Sequence, residues 1–330
     1  MLLGLSDVMV AVFVSFGLMI GTLFGFFGMG GSFLVTPALL VMGYRPSVAV
    51  GSGLAFVFGT SIIAALRHRD HGQVDYKLAG VFIVAMTAGL EIGKELILAL
   101  EATGSADVLV SIAYVVLLGG VGLLVLRDAR AGPSDGNGET PALAARIQQY
   151  RIPPMVSFKG GVEASLWVAL ALALFIGVLS GLLGVGGGFL LMPAMMYVLD
   201  VPAAIAVGTS VLQITIPGGF GAFLYAQSGA VNLPVVGLLL AGSALGARIG
   251  SATTTYVDED DIKGYFAAML LMGSVAVAAR KVGHVMHVQA LTTVSIVLII
   301  GGALLVSGAV VYSGVAALRH PSEPSVASAD

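Results

Sequence analysis

Gly181-Leu182-Leu183-Gly184-Val185-Gly186-Gly187-Gly188-Phe189-Leu190-Leu191-Met192-Pro193-Ala194 interrupts a long apolar run with five glycines. The same pattern stands 156 residues earlier as Gly25-Phe26-Phe27-Gly28-Met29-Gly30-Gly31-Ser32-Phe33-Leu34-Val35-Thr36-Pro37-Ala38, with eight of the fourteen positions identical. Glycine costs a helix about 1 kcal/mol per residue relative to alanine, so each cluster predicts a helix break. Pro37 and Pro193 limit the helical segments that follow. Each break therefore separates a full-length apolar segment from a half-length one, 32–43 in the first copy and 188–199 in the second.

The similarity extends beyond the breaks. Pro46 meets Pro202 at the same shift, and after a one-residue slip Ala49-Val50-Gly51-Ser52 meets Ala206-Val207-Gly208-Thr209. Gly72, Val74, Gly80, Gly89, Ile92 and Gly93 then match Gly229, Val231, Gly237, Gly246, Ile249 and Gly250. Recurrence over this length reads as duplication. The expected organisation is a first repeat over 1–127, a polar linker over 128–164, a second repeat over 165–316 and a disordered tail over 317–330.

The solvent for these repeats is lipid. Of 330 residues 58% are hydrophobic and 10% charged, against roughly 25% charged in soluble domains. Mean hydropathy is +1.01. Further apolar segments at 8–27, 47–66, 77–99, 105–126, 165–183, 203–226, 233–254, 263–281 and 290–316 approach or exceed the ~20 residues a spanning helix needs. The expected fold is thus all-α and polytopic, with about 8–10 transmembrane segments and a glycine-broken helix pair in each half. No basic segment precedes the apolar run that follows Asp7, so a cleavable leader is not expected. The 46 glycines, about twice the usual ~7%, fit close helix packing as well as breaks. A net charge of −3 gives no reason to expect nucleic acid, and zero cysteines remove disulfides, thiolate metal sites and cysteine nucleophiles.

Charge placement orients the chain. The loop with Arg67, Arg69 and Lys77 and the linker with Arg127, Arg130, Arg146, Arg151 and Lys159 read as cytoplasmic. The turn bearing Glu101 and Asp107 then lies outside. The second repeat's counterpart of the first loop, 226–232, has no lysine or arginine, which favours inverted repeats. Arg280 and Lys281 would then face outward, against the positive-inside rule.

A break frees backbone groups inside the membrane, where they are tolerated only against protein or a wet cavity. The short helix that follows aims its positive N-terminus inward, and two such ends can converge on an anion. The candidate binding residues are Gly30, Gly31, Ser32, Phe33, Gly186, Gly187, Gly188 and Phe189. Helix packing is the competing reading for these glycines. Ser52, Thr209 and Ser210 take matched places early in the third helix of each half, and Gln213 lies one turn beyond Thr209. They are neutral donors suited to oxyanions, or equally interhelical hydrogen bonds. Arg248 in an apolar span aligns with Glu91, and the two read as an ion pair or a gate.

No metal is expected. His284 and His287 lack a nearby carboxylate, and His68 and His71 sit in a charged loop. Asp258-Glu259-Asp260-Asp261 reads as the acidic start of a helix. An intramembrane enzyme is not expected, because there is no His-Glu-x-x-His motif and no serine paired with a histidine deep in a span.

The twin G-x-x-G-x-G-G-[GS]-x-x-x-x-P pattern, the two-repeat layout and the basic linker resemble the TauE/SafE family of sulfite and organosulfonate exporters. The resemblance covers about residues 15–316. It implies a multi-pass bacterial inner-membrane transporter, working without a cofactor, that exports sulfite, sulfoacetate or a related sulfonate. An anion channel, or a carrier of another small anion such as a carboxylate, is the alternative. Expected partners are the small anion and the lipid bilayer, with a homodimer left open.

Overall fold

In the computed structural model the described residues are 6–27, 32–68, 74–131, 152–159, 163–199, 201–253 and 259–319. Eleven helices are present among them. The first five are α1 (Asp7–Phe27), α2 (Ser32–Val41), α3 (Pro46–His68), α4 (Tyr76–Ala102) and α5 (Ala106–Ala131). After the linker come α6 (Leu166–Leu183), α7 (Gly188–Leu199), α8 (Ala203–Gln227), α9 (Leu233–Thr253), α10 (Glu259–Val285) and α11 (Gln289–Arg319). Six described helices are long and apolar enough to cross a membrane: α1, α5, α6, α9, α10 and α11. This is an all-α polytopic membrane protein. Most of the expected linker, residues 132–151, lies outside the described residues. The described part of the linker adds a small antiparallel hairpin, β1 (Met155–Ser157) on β2 (Glu163–Ser165).

Glycines decide which helices meet. The most extensive packing joins α1 to α9 and α4 to α6. A Cβ added at Gly21 would lie 2.3 Å from the Ser243 carbonyl oxygen, and one at Gly246 only 2.0 Å from that of Leu18. Along α4 and α6, a Cβ on Gly89 would meet the Leu174 carbonyl at 2.3 Å, and one on Gly181 the Leu90 carbonyl at 2.4 Å. These are small-xxx-small seams, in which the missing side chains let two backbones touch. Contact partners rise together along each pair, so both pairs are parallel.

The central pair α3 and α8 runs the other way. Gly51 lies against Tyr225, Gly221 against Leu54, and Gly219 against Phe58. Descending partners mean antiparallel helices. In α4 the order is Asp75 with Thr209, Leu78 with Gln213, and Leu90 with Gly221, which makes α4 parallel to α8. The start of α4, the end of α3 and the linker hairpin therefore share one end of the bundle, hereafter the linker end.

At the opposite end the α4–α5 turn collects charge. Arg280 Nη1 and Lys281 Nζ lie 2.8 and 2.7 Å from the two carboxylate oxygens of Asp107. Glu101 Oε1 accepts the Ser47 N–H at 2.7 Å and pairs with Arg45. Two cations near the C-terminus of α10 thus share one partly buried carboxylate. Asp107→Asn is expected to cost about 1–2 kcal/mol, between the values for exposed and buried pairs. A lower melting temperature in detergent would show it; an unchanged one would mean the triad contributes nothing.

Candidate functional site

The second break is formed by backbone geometry that only glycine adopts readily. Gly184 closes α6 in the left-handed region at φ 71°, and Gly186 and Gly187 follow at 64° and 77°. All three are buried. The chain reverses within a few residues, and α7 begins at Gly188. Its first intrahelical bonds run from the Leu190 and Leu191 N–H groups to the Gly187 carbonyl. By helix geometry the amides of Gly188 and Phe189 have no intrahelical acceptor. They lie at the positive end of a 12-residue helix inside the protein.

The carbonyls freed at the end of α6 are satisfied by hydroxyls from other helices. Tyr225 on α8 donates to the Gly181 carbonyl at 2.5 Å, and Tyr114 on α5 donates to the Leu183 carbonyl. Thr36 on α2 donates to the carbonyls of Gly184 and Ala49, each at 3.4 Å. Both tyrosines are fully buried. Loss of one phenol strands a buried carbonyl, at about 1–3 kcal/mol. Tyr114→Phe should therefore lower thermal stability by that amount; a melt indistinguishable from the parent would remove its role as support for the break. The sequence reading missed Tyr114, Tyr225 and Thr36. The available signal was a phenol or hydroxyl in an apolar span, which needs a partner.

The immediate walls of the break are apolar. The atoms nearest a Cβ on Gly186 belong to Val57, and those nearest one on Gly187 to Met86, Ile176 and Leu191. Neutral backbone donors, rather than a charged side chain, characterise this point. Further along α4, Leu78 and Asp75 meet Gln213 and Thr209. Gln213 is fully buried, its Nε2 is 3.5 Å from the Leu78 carbonyl, and its Oε1 has no partner among the described residues. Gly187, Gln213 and Thr209 thus follow one another down α4. Met86 and Leu78 are about 12 Å apart on it.

Other candidates lie elsewhere. Thr209 Oγ1 accepts the Asp75 N–H and Ser52 Oγ accepts the Asn232 N–H, each at 3.0 Å. These two bonds join residues matched by the 157-residue shift, but they occupy opposite ends of the α3–α8 pair. One small anion does not reach both Ser52 and Thr209. Their bonds are interhelical. Ser210 is buried. Phe33 is buried with its ring edge-on to Phe266, centroids 5.7 Å apart and planes at 87°, which places it in packing against α10. Gly30 and Gly31 lie outside the described residues, as do the side chains of Ser32 and Phe189.

The Arg248–Glu91 pair does not form among the described residues. Glu91 Oε1 lies 3.7 Å from Lys94 Nζ, one turn along α4, and Lys94 also meets Glu95 at 3.1 Å. Arg248 is exposed near the linker end of α9, where a long cationic side chain reaches the interface. The physical reason is that α4 and α9 each pack on a different partner, α6 and α1.

A bundle with a buried break, lipid-compatible helices and an inward-facing helix N-terminus is a frame suited to a multi-pass membrane transporter. The family model described as "Sulfite exporter TauE/SafE" matches residues 13–277. The chain belongs to the TauE/SafE family. It is 28% identical to the probable membrane transporter protein YunE of Bacillus subtilis (strain 168), over 73% of this chain and 87% of that protein. A probable membrane transporter protein of Xylella fastidiosa (strain 9a5c) is 26% identical over 74% of this chain and 84% of its own. The probable membrane transporter protein YjnA of B. subtilis is 25% identical over 78% and 94%. No solved structure gives a significant match.

Proposed function

We propose that this transporter is a secondary carrier that moves a small oxyanion, of the sulfite or organosulfonate class, across the bacterial inner membrane. The observation that carries the reading is the buried run of left-handed glycines leading into the N-terminus of α7. A helix N-terminus offers an anion aligned N–H groups and a partial positive charge. Apolar walls suit a desolvated anion, because the same donors act more strongly where water is excluded. Gln213 and Thr209 lie on the route from the linker end, where an amide N–H and a hydroxyl proton are the donors an oxyanion can use.

Inverted repeats would supply the alternating motion. The sequence match makes α3 the counterpart of α8, and the two run antiparallel, as inversion demands. In this reading one repeat rocks against the other around the anion. An inside-negative potential assists outward movement by about 2.3 kcal/mol per charge per 100 mV, so export needs no ATP.

Proteoliposomes containing the protein should take up radiolabelled sulfite or sulfoacetate, with saturation and with acceleration by the same anion on the opposite side. Flux that neither saturates nor shows counterflow would mean a channel. Uptake equal to that of protein-free liposomes for both anions would overturn the assigned cargo class.

A further inference from the structure

The linker hairpin occupies a specific place. Phe158 and Ala164 are buried in one apolar cluster with Leu78, Phe82, Met86, Ile176, Leu191, Met195 and Leu199. That cluster reaches from the hairpin to Met86, whose methyl group is the first atom a Cβ added at Gly187 would meet. A polar connection between repeats has no covalent need to enter the bundle, yet this one inserts an aromatic ring.

One carboxylate ties it there. Asp75 is 5% exposed and caps α4, with Oδ1 accepting the N–H groups of Lys77 at 2.9 Å and Leu78 at 3.0 Å. Its other oxygen, Oδ2, accepts the Lys159 N–H at 2.5 Å from the hairpin. Its own N–H donates to Thr209 on α8. Asp75 therefore joins the first repeat, the linker and the second repeat at one point. Its counterpart at the 157-residue shift is Asn232, which caps α9 through the Val235 N–H and donates its N–H to Ser52. The cap and the crossing bond recur at both ends. A second carboxylate oxygen, and the hairpin it holds, exist at the linker end alone among the described residues.

We propose that the hairpin around Phe158 is a plug closing the linker end of the path to Gly187, and that Asp75 is its latch. This rests on the reading of the α7 N-terminus as the substrate site. Opening requires the Lys159 N–H to leave Oδ2, so that Phe158 withdraws while the Oδ1 cap of α4 stays intact. An asparagine cannot serve, since its amide nitrogen would face the Lys159 N–H, donor against donor.

The chain has no cysteine, so Met86→Cys supplies a single reporter thiol. In nanodiscs, Asp75→Asn on that background should raise its labelling rate with a membrane-impermeant maleimide by about tenfold or more, the scale of one lost hydrogen bond to a charged group. Hydrogen exchange of the 155–165 amides should accelerate together with it. Asp75→Ala should act in the same direction; if it fails to fold, Asp75→Asn, which retains the cap seen at Asn232, carries the test. Faster exchange in the hairpin with the reporter thiol still protected would overturn the plug, leaving a strap. Unchanged exchange in folded Asp75→Asn would overturn the latch. Neither readout uses an anion, so failure here and failure of the assigned cargo are distinguishable.

Discussion

Gly187→Leu is expected to leave a folded, monodisperse protein that has lost transport to the level of empty liposomes. The left-handed conformation at φ 77° costs a non-glycine residue about 1–2 kcal/mol. The first atom a new Cβ meets is the Met86 methyl, 2.8 Å away and at the tip of a flexible side chain, so local repacking absorbs the contact. The leucine side chain then fills the space in front of the α7 N-terminus and shields its N–H groups. Site occlusion thus outweighs the stability loss. Circular dichroism and gel filtration establish the fold, and counterflow of labelled sulfite or sulfoacetate establishes the loss. Full transport by the folded variant would refute the site.

Gly246→Leu should have a different outcome, loss of the folded protein itself. Here a Cβ would lie 2.0 Å from the Leu18 carbonyl oxygen and 2.7 Å from the Thr22 nitrogen. Both are backbone atoms of α1, and neither can turn aside. Overpacking by side chains costs about 1–3 kcal/mol, and a clash with a rigid backbone exceeds that range. The helices must separate, and the seam that includes Gly17, Gly21, Gly242 and Gly250 opens with them. The expected result is aggregated or degraded protein with no monodisperse peak. Gly237→Leu is the control, because nothing lies within 4 Å of its added Cβ. A folded Gly246→Leu protein melting like its parent would mean the α1–α9 seam is not what holds the bundle.

Two glycine populations thus read alike in the chain and differ in the fold. Gly184, Gly186 and Gly187 bend the backbone, whereas Gly21, Gly89, Gly181 and Gly246 let helices touch. A glycine codon reports neither its φ nor its neighbour. Clustering next to a half-length helix distinguished the first group, and spacing by four along a full-length helix identifies the second. The same ambiguity affected Ser52 and Thr209. Their matched places were legible, but a hydroxyl facing an anion and one facing a backbone N–H look the same in sequence. Arg248 and Glu91 were aligned by position, and alignment between repeats does not imply contact between them.

Sequence alone determined the membrane class, the helical spans, the glycine break before α7 and the family resemblance. These follow from hydropathy, glycine clustering and motif spacing, which are local properties read within a few turns of chain. Only the tertiary structure decided that α1 belongs with α9 and α4 with α6. It alone showed that Tyr114, Tyr225 and Thr36 complete the break, and that Asp75 holds the linker hairpin against the bundle. Those partners lie far apart along the chain, and no local period encodes them. They arise when backbone groups freed inside a low-dielectric bundle take the nearest available hydrogen-bond partner, wherever in the chain it originates.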